Sequence, residues 1–344
     1  MHIFRGLHHP GIAPACALTI GNFDGVHRGH RAMLALLNRQ AKERGVVSCA
    51  LTFEPHPRDY FAAALHKPAL APARIGTLRD KLSELAQCGV QQAIVLPFNA
   101  TLAAQPAQAF IDEVLVRSLG ARYVLVGDDF RFGAQRAGDC ALLKASASAQ
   151  GFEVGRMESY VVDGLRISST AVRQALASGD MAAAAQLLGR PYAISGHVVH
   201  GRKLGRALGA SRQGADDGFR TLNLRFTHWK PAASGIFAVH VHGLSEQPLP
   251  GVANLGVRPS IDPSDVNGGR VLLETHCLEW PAHLGAEGAY GKIIRVELLH
   301  KLHDELKYDS LDALTTGIAR DGVEARAWFA AHAQTRRQTT RDRI

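Results

Sequence analysis

Two histidines, His27 and His30, stand three residues apart after a glycine-rich turn. The apolar run at residues 15–20 predicts a buried strand before this turn, and residues 31–37 predict a helix after it. Residues three apart share one face of a helical turn, so both imidazole rings can act on one group. A helix N-terminus also presents free N–H groups and partial positive charge, which suit a phosphate. The pattern predicts that the two rings bind a phosphate chain and neutralise charge on a leaving pyrophosphate.

The residues around the histidine pair help to distinguish a nucleotide-binding site from an ordinary strand-to-helix turn. Gly25 and Gly29 leave room for phosphates to approach the backbone. A bare His-x-Gly-His is also compatible with a sharp strand-to-helix turn that carries two incidental histidines. The sequence Gly-Asn-Phe-Asp-Gly at residues 21–25 stands directly before it and favours nucleotide binding.

Two further segments combine residue types that suit ligand binding. In residues 127–138, Phe130 or Phe132 can offer an apolar face to a planar heterocycle and Asp129 can supply hydrogen bonds. A tight surface loop anchored by a core phenylalanine has the same composition. Residues 167–173 are rich in hydroxyls, with an arginine one turn in, so they either cap a helix or clamp triphosphate oxygens.

The first half of the sequence alternates between strand and helix patterns, and these elements must position the segments described above. Strands are predicted at 46–53, 93–96, 123–126 and 154–157, and helices at 79–88, 106–119, 142–150, 170–177 and 181–188. This rhythm predicts a parallel sheet with helices on both faces. Because ligands of such sheets gather at the carboxyl ends of the strands, we expect residues 21–30, 54–57 and 127–130 to converge.

The pattern changes after residue 191. Short strands separated by turn signals are predicted at 192–201, 221–226, 235–241, 252–257, 270–278 and 292–299. This spacing is typical of a small closed barrel. Residues 311–330 predict a terminal helix, capped by Asp309 or Ser310.

Length and composition limit the number of domains, the kind of ligand and the type of protein to be expected. A chain of 344 residues favours two domains, and its net charge of +8 suggests anionic ligands or a nucleic-acid partner. The arginines at 336, 337, 341 and 343 are typical of a solvated, frayed end. Five scattered cysteines without a Cys-x-x-Cys pair predict a reduced cytoplasmic protein. No apolar run approaches the ~20 residues of a membrane span, and the short, proline-broken N-terminal run does not predict a signal peptide.

Taken together, these motifs resemble the bacterial family of bifunctional riboflavin kinase/FMN adenylyltransferases, from about residue 15 to about residue 330. The segments that carry the likeness in the first half are 21–30, 52–57, 127–138 and 167–173. Those in the second half are 196–201, 204–209, 251–259, 273–276 and 307–312. The resemblance implies an α/β fold: a Rossmann-like nucleotidyltransferase domain with a parallel sheet at 1–188, then a small antiparallel β-barrel with a terminal helix at 189–334. A basic tail at 335–344 follows.

The resemblance also implies site residues and roles. The implied ATP-binding residues are Gly21, Asn22, Phe23, Asp24, Gly25, His27, His30, Ser168, Ser169, Arg173, Gly201, Gly205, Thr221 and Asn223. The implied flavin-binding residues are Asp129, Phe130, Arg131 and Phe132. His27 and His30 would be catalytic in adenylyl transfer, Glu274 would be the base of the kinase, and Thr221 and Asn223 would hold the Mg²⁺ that accompanies ATP.

The implied chemistry is physically consistent. FMN brings an ionised phosphate as nucleophile, so adenylyl transfer needs positioning and charge neutralisation rather than a base. The 5′-hydroxyl of riboflavin is a poor nucleophile, and a carboxylate such as Glu274 can take its proton. On sequence alone, a strand glutamate in a small barrel is equally well a solvated side chain. The expected ligands are ATP, riboflavin, FMN and FAD, with no nucleic acid and no membrane, in a monomer or weak homo-oligomer.

Two departures from the family pattern leave an alternative open. Residues 210–218 are inserted before Phe219, and Arg220 replaces an expected proline, which removes a fixed φ beside Thr221. His303 stands where the family has arginine. The alternative is an FMN adenylyltransferase whose kinase barrel is weakened or inactive.

Two other classes explain less of the chain. A nucleic-acid-binding protein would interleave Phe and Tyr with its positive charges, and this sequence does not. A cytidylyltransferase shares the His-x-Gly-His but accounts for neither residues 127–138 nor the barrel.

Overall fold

The structure is a computed structural model that describes residues 1–162, 164–200, 221–226, 230–258, 270–285 and 287–341. Its backbone forms two compact units. The first comprises Met1–Pro72 and Leu78–Ala171, and the second comprises Ala73–Thr77 and Val172–Ile344. The domain limits expected from the sequence, at 188 and 334, stay predictions.

A six-stranded parallel sheet forms the centre of the first unit in the part that the structure describes. Its strands are β1 (His2–Arg5), β2 (Cys16–Ile20), β3 (Val47–Glu54), β4 (Gln92–Pro97), β5 (Ala121–Gly127) and β6 (Glu153–Met157). They lie in the order β1-β4-β3-β2-β5-β6. The predicted α/β class is confirmed, and the edge strand β1 was not predicted because only two of its four residues, Ile3 and Phe4, are apolar.

Burial on both faces of the sheet explains why these segments are strands. All five residues of β2 are buried. Cys16, Leu18 and Ile20 pack into one apolar cluster, and Ala17, on the opposite face, packs into a second one. A strand covered on both faces reads as a continuous apolar run, which is the pattern of β2.

Helices cover this sheet and continue into the second unit. They are α1 (Arg28–Glu43), α2 (Pro57–Ala64), α3 (Leu78–Gln87), α4 (Ala100–Ala104), α5 (Ala107–Ala109), α6 (Cys140–Gln150), α7 (Ser169–Ser178) and α8 (Met181–Leu188). The helix predicted at 106–119 is α-helical only in α5 and π-helical over Phe110–Ser118. There the N–H of Leu119 reaches the carbonyl of Val114, five residues back.

A closed antiparallel barrel forms the second unit in its described part. Its strands are β9 (Tyr192–Val199), β10 (Thr221–Arg225), β11 (Gly235–His242), β12 (Leu249–Arg258), β13 (Arg270–Cys277) and β14 (Ile293–His303), numbered after the hairpin β7 (Val161–Val162) and β8 (Leu165–Arg166) of the first unit. The barrel order β10-β13-β12-β11-β14-β9 confirms the prediction of a small closed barrel. Alternate residues such as Phe237, Val239 and Val241 fill its interior.

The terminal helix α9 (Leu311–Arg341) is longer than predicted. The arginine-rich end, which the sequence analysis described as typical of a frayed end, lies within this helix as far as Arg341. The physical reason is that residues 323–341 contain neither glycine nor proline, so nothing in the sequence ends the helix.

Candidate functional site

The three motifs of the first half converge as predicted. β3, β2 and β5 are neighbours in the sheet, and all three run in the same direction. The segments at 21–30, 54–57 and 127–130 follow, or end, these strands at their carboxyl ends. The loops after β2, β3 and β5 therefore form one candidate site in the first unit.

The histidine pair forms the centre of this site. α1 begins at Arg28, and Nδ1 of His27 accepts the N–H of His30 at 3.3 Å, which caps the helix. The two rings stack with centroids 3.7 Å apart and an interplanar angle of 14°. The expected shared face is confirmed. One N–H that the sequence analysis assigned to phosphate binding is instead occupied by His27.

Electrostatics set the charge of His30. Burial lowers the pKa of His30 well below 6.5, and the charges of His27 and Lys81 lower it further. His30 is therefore neutral at neutral pH, and it can serve a phosphate as a neutral N–H donor. Its Nδ1 is buried without a hydrogen-bond partner among the described residues.

The loop between β2 and α1 is held in an unusual backbone conformation. Phe23 and Val26 have φ angles of 47° and 40°, in the left-handed region that side chains other than glycine rarely adopt. Both side chains are fully buried, and the ring of Phe23 meets His30 edge-on at 5.2 Å. Phe23, predicted to bind ATP, therefore places its ring in the core behind His30. At Gly29 a Cβ would lie 3.2 Å from the His27 ring, so a side chain there would press on that ring.

The hydroxyl-rich segment 167–173 both caps a helix and reaches the site. Oγ of Ser168 accepts the N–H of Ala171, which is the capping role left open by the sequence. Oγ of Ser169 donates to the carbonyl of Asp24 at 2.9 Å and so joins this segment to the loop after β2. Nε of Arg173 donates to the carbonyl of Ala73 at 2.7 Å, within the second unit.

In the loop after β5, the predicted flavin residues divide into two groups. Phe132 is buried against Phe110, so it is the core anchor that the sequence left open as the alternative, and Phe130 stacks on it at 5.4 Å. Asp129 is exposed and pairs with Arg166 at 3.2 Å. Arg131 pairs with Asp139.

Arg166 and an aromatic cluster were missed by the sequence analysis. Tyr60, Phe61 and Phe98 meet edge-to-face with centroids 5.3–5.7 Å apart, and Phe61 is 44% exposed. Residues 60 and 61 lie in α2, directly after the segment 54–57, and Phe98 follows β4. Two adjacent aromatic residues close behind a polar motif were a signal that could have been used.

A row of polar residues crosses the outer face of the barrel. Asn223 on β10, Glu274 on β13 and Asn254 on β12 stand directly opposite one another on adjacent strands. Facing residues in a sheet project to the same side, so the carboxylate lies between two carboxamides. Asn254 was not among the predicted site residues, and its Oδ1 is buried with no hydrogen-bond partner among the described residues.

The described residues contain no group of three or more His, Cys, Asp or Glu side chains that could hold a metal ion. Thr221 and Asn223 lie two residues apart on β10 and so project to the same side, and Nδ2 of Asn223 donates to the carbonyl of Thr221. A hydroxyl and an amide oxygen are donors that Mg²⁺ accepts beside the oxygens of a phosphate ligand.

Several predicted features fall outside the described residues. These are Gly201, Gly205, the insertion at 210–218 and Arg220. His303 is described, and its Nε2 lies 2.9 Å from Oδ1 of Asp321 on α9. His303 thus takes part in joining the barrel to the terminal helix.

Comparisons with known proteins match both halves of the chain. A family model described as FAD synthetase matches residues 10–171, and one described as riboflavin kinase matches residues 188–329. Proteins named bifunctional riboflavin kinase/FMN adenylyltransferase are 44% identical in Escherichia coli K12 (96% of this chain, 98% of that protein) and 41% in Haemophilus influenzae (96% and 99%). One from Pseudomonas fluorescens is 40% identical (97% and 99%).

A solved structure gives the same picture of the fold. It is described as a macrolide-efflux protein from Streptococcus pneumoniae, has a TM-score of 0.70 and is 25% identical, covering 95% of this chain and 100% of that one. Within the described part of this chain, no helix has the length and apolarity needed to cross a bilayer.

Proposed function

The chain belongs to the family of bifunctional riboflavin kinase/FMN adenylyltransferases, and on that premise we propose how its two units divide the synthesis of FAD. The barrel unit phosphorylates riboflavin with ATP to give FMN and ADP. The α/β unit then transfers AMP from ATP to FMN and releases pyrophosphate. The observation that carries this assignment is the match of each half to its own family over nearly the full chain.

In the α/β unit, we assign adenylyl transfer to the site built on His27 and His30. A phosphate oxygen of FMN attacks the α-phosphorus of ATP, and the bond to the bridging oxygen of pyrophosphate breaks. The stacked imidazoles at the start of α1 donate hydrogen bonds to the phosphates as negative charge grows on the leaving group. No base is required, because the phosphate of FMN is already ionised.

The same unit also has residues suited to both substrates. For ATP we propose the main chain of residues 21–25, with Ser169 tied to this loop through Asp24, and Ser168 on the phosphates. Arg173, which the resemblance also assigns to the phosphates, belongs to the second unit, and its role stays a prediction. For the flavin we propose Phe130, Asp129 and Arg131. The partly exposed aromatic cluster of Tyr60, Phe61 and Phe98 is suited to a planar ring system.

In the barrel unit, we assign the kinase step to the polar row on β10, β13 and β12. Glu274 accepts the proton of the 5′-hydroxyl of riboflavin as its oxygen attacks the γ-phosphorus of ATP. Asn223 and Asn254 flank the carboxylate on the neighbouring strands and can orient it or the hydroxyl. Thr221 and Asn223 would hold Mg²⁺ as part of the Mg-ATP substrate, where the ion neutralises phosphate charge.

The described residues do not favour the alternative of an inactive barrel. Thr221, Asn223 and Glu274 lie on one face of adjacent strands, as a working kinase site requires. His303, which differs from the family pattern, pairs with Asp321 rather than with this row.

All five cysteines are free, which supports a proposed cytoplasmic location.

Two incubations test the proposal. The purified chain receives riboflavin, ATP and Mg²⁺ in one, and FMN, ATP and Mg²⁺ in the other, and the flavins are separated by chromatography. FMN and FAD from the first and FAD from the second are expected. If FAD forms only in the mixture that contains FMN, the alternative of an inactive kinase barrel is supported. If neither mixture forms FAD, the assignment of His27 and His30 is contradicted.

A further inference from the structure

A lysine that the proposed mechanism does not use is buried behind the adenylyl-transfer site. Lys81 lies on α3 and is 3% exposed. Lysine is almost never buried to this extent without polar partners, because desolvating an ammonium group is costly. Its Nζ donates to Oγ1 of Thr52 at 3.2 Å and approaches the carbonyl of Phe53 at 3.5 Å. The ammonium group is therefore held at the carboxyl end of β3.

Two observations connect Lys81 to the proposed site. Thr52, which accepts from Lys81, donates in turn from Oγ1 to the carbonyl of Asn22 at 3.3 Å. This chain of hydrogen bonds runs from α3 to the loop that carries the histidines. The positive charge of Lys81 also acts on the His30 ring and lowers its pKa.

His30 brings no full positive charge to the leaving pyrophosphate, and Lys81 can supply one. Burial has the largest effect on the pKa of His30, and the electrostatic effects of His27 and Lys81 lower it further. Nearby, Arg31 of α1 pairs with Glu84 of α3 at 3.3 Å. A neutral His30 can donate a hydrogen bond but brings no full positive charge to a departing pyrophosphate.

We propose that Lys81 is a positioning residue for adenylyl transfer, whose ammonium group fixes the Thr52–Asn22 contact and supplies lasting positive charge behind the histidine pair. The inference rests on the proposed function of the α/β unit. When the bond from the α-phosphorus to the bridging oxygen breaks, its electron pair leaves with pyrophosphate. A fixed charge in a dry environment stabilises that developing charge without transferring a proton.

The test compares Lys81→Met with Lys81→Arg in the full chain. We expect Lys81→Met to lower kcat for FAD formation from FMN by roughly 10- to 100-fold, with a smaller change in KM for ATP. Lys81→Arg, which keeps the charge, should recover part of the loss. Riboflavin phosphorylation by the same preparations should not change and controls for the amount of active protein, and thermal unfolding of each variant controls for the folding of the α/β unit.

A pH profile separates this role from a structural one. Removing the charge of Lys81 raises the pKa of His30, so the acid limb of kcat should move to higher pH in Lys81→Met and stay in place in Lys81→Arg. A wild-type rate, or a reduced rate with an unmoved acid limb, would overturn the proposal.

A second variant keeps the test decisive if Lys81→Met destabilises the α/β unit. Thr52→Val breaks the link to Asn22 and leaves the ammonium group, so it should lower FAD formation with the acid limb unmoved. If Thr52→Val retains wild-type FAD formation and Lys81→Arg is no faster than Lys81→Met, neither the Thr52–Asn22 contact nor the charge contributes, and Lys81 is structural only. The wild type must form FAD from FMN in every experiment, and its failure would count against the proposed function instead.

Discussion

At the scale of single residues, the two proposed sites use different devices. In the α/β unit, a cap places His27 and His30 in stacked contact, and burial keeps His30 neutral. In the barrel, strand register alone brings Glu274 between Asn223 and Asn254. The first arrangement suits a reaction that needs charge neutralisation, and the second suits one that needs a base.

Replacing Glu274 tests the second device. We expect Glu274→Gln to slow riboflavin phosphorylation by about 10²- to 10⁴-fold, because the amide cannot accept the hydroxyl proton. FAD formation from added FMN should be unchanged. Both rates are measured by flavin chromatography.

Thr275→Val is the matched control. Thr275 is the next residue on β13 but is fully buried on the opposite face, and its hydroxyl has no hydrogen-bond partner among the described residues. Its loss should leave the kinase rate within about twofold, since no hydrogen bond is broken. An equal loss in both variants would point to a damaged strand rather than a missing base.

At the scale of elements, a histidine connects the barrel to the terminal helix. Nε2 of His303, at the end of β14, bonds Oδ1 of Asp321 on α9, and Nδ1 bonds the carbonyl of Asp304 at 2.7 Å. Burial and the neighbouring Arg320 oppose the charged ring. The bonds to Asp304 and Asp321 outweigh them, so the pKa of His303 is raised from 6.5.

This shift predicts a pH-dependent contribution to stability. A raised pKa means that the stabilisation is fully present below about pH 6.5 and is lost as the pH rises through the folded-state value. His303→Gln should therefore lower the free energy of unfolding by on the order of 1 kcal/mol at pH 6 and by less at pH 8.5. Thermal or urea unfolding across this range gives the difference.

An exposed histidine supplies the comparison. His283→Gln, in a short turn of the same unit, should leave stability unchanged at every pH. A His303→Gln penalty that does not vary with pH would show that the ring acts through packing and not through its charge.

At the scale of the whole molecule, each unit has its own core and its own proposed catalytic groups. The sheet clusters involve residues of the first unit, and the barrel interior is filled by residues of the second. Units of this kind are expected to retain their chemistry independently.

A mixture of two single variants tests this independence. His30→Asn should convert riboflavin to FMN and slow FAD formation by about 10²- to 10³-fold. Glu274→Gln should form FAD only from added FMN. Mixed together, the two proteins should convert riboflavin to FAD through free FMN. Two variants that are active singly but form no FAD together would show that FMN does not pass through solution.

The sequence alone determined what depends on local pattern. Period, turn residues and the motif at 21–30 predicted the parallel sheet, the barrel and the histidine pair, because each follows from neighbours in the chain. Even the closeness of His27 and His30 is a consequence of three-residue spacing on one helical turn.

Only the tertiary structure decided features that depend on distant contacts. The burial of Lys81 against Thr52, the placement of Phe132 in the core and the row of Asn223, Glu274 and Asn254 all need partners far along the chain. The short segment Ala73–Thr77 joins the second unit through hydrogen bonds between Arg74 and residues 230 and 232. Burial and strand register are properties of the packed molecule, and no local pattern encodes which segments will meet.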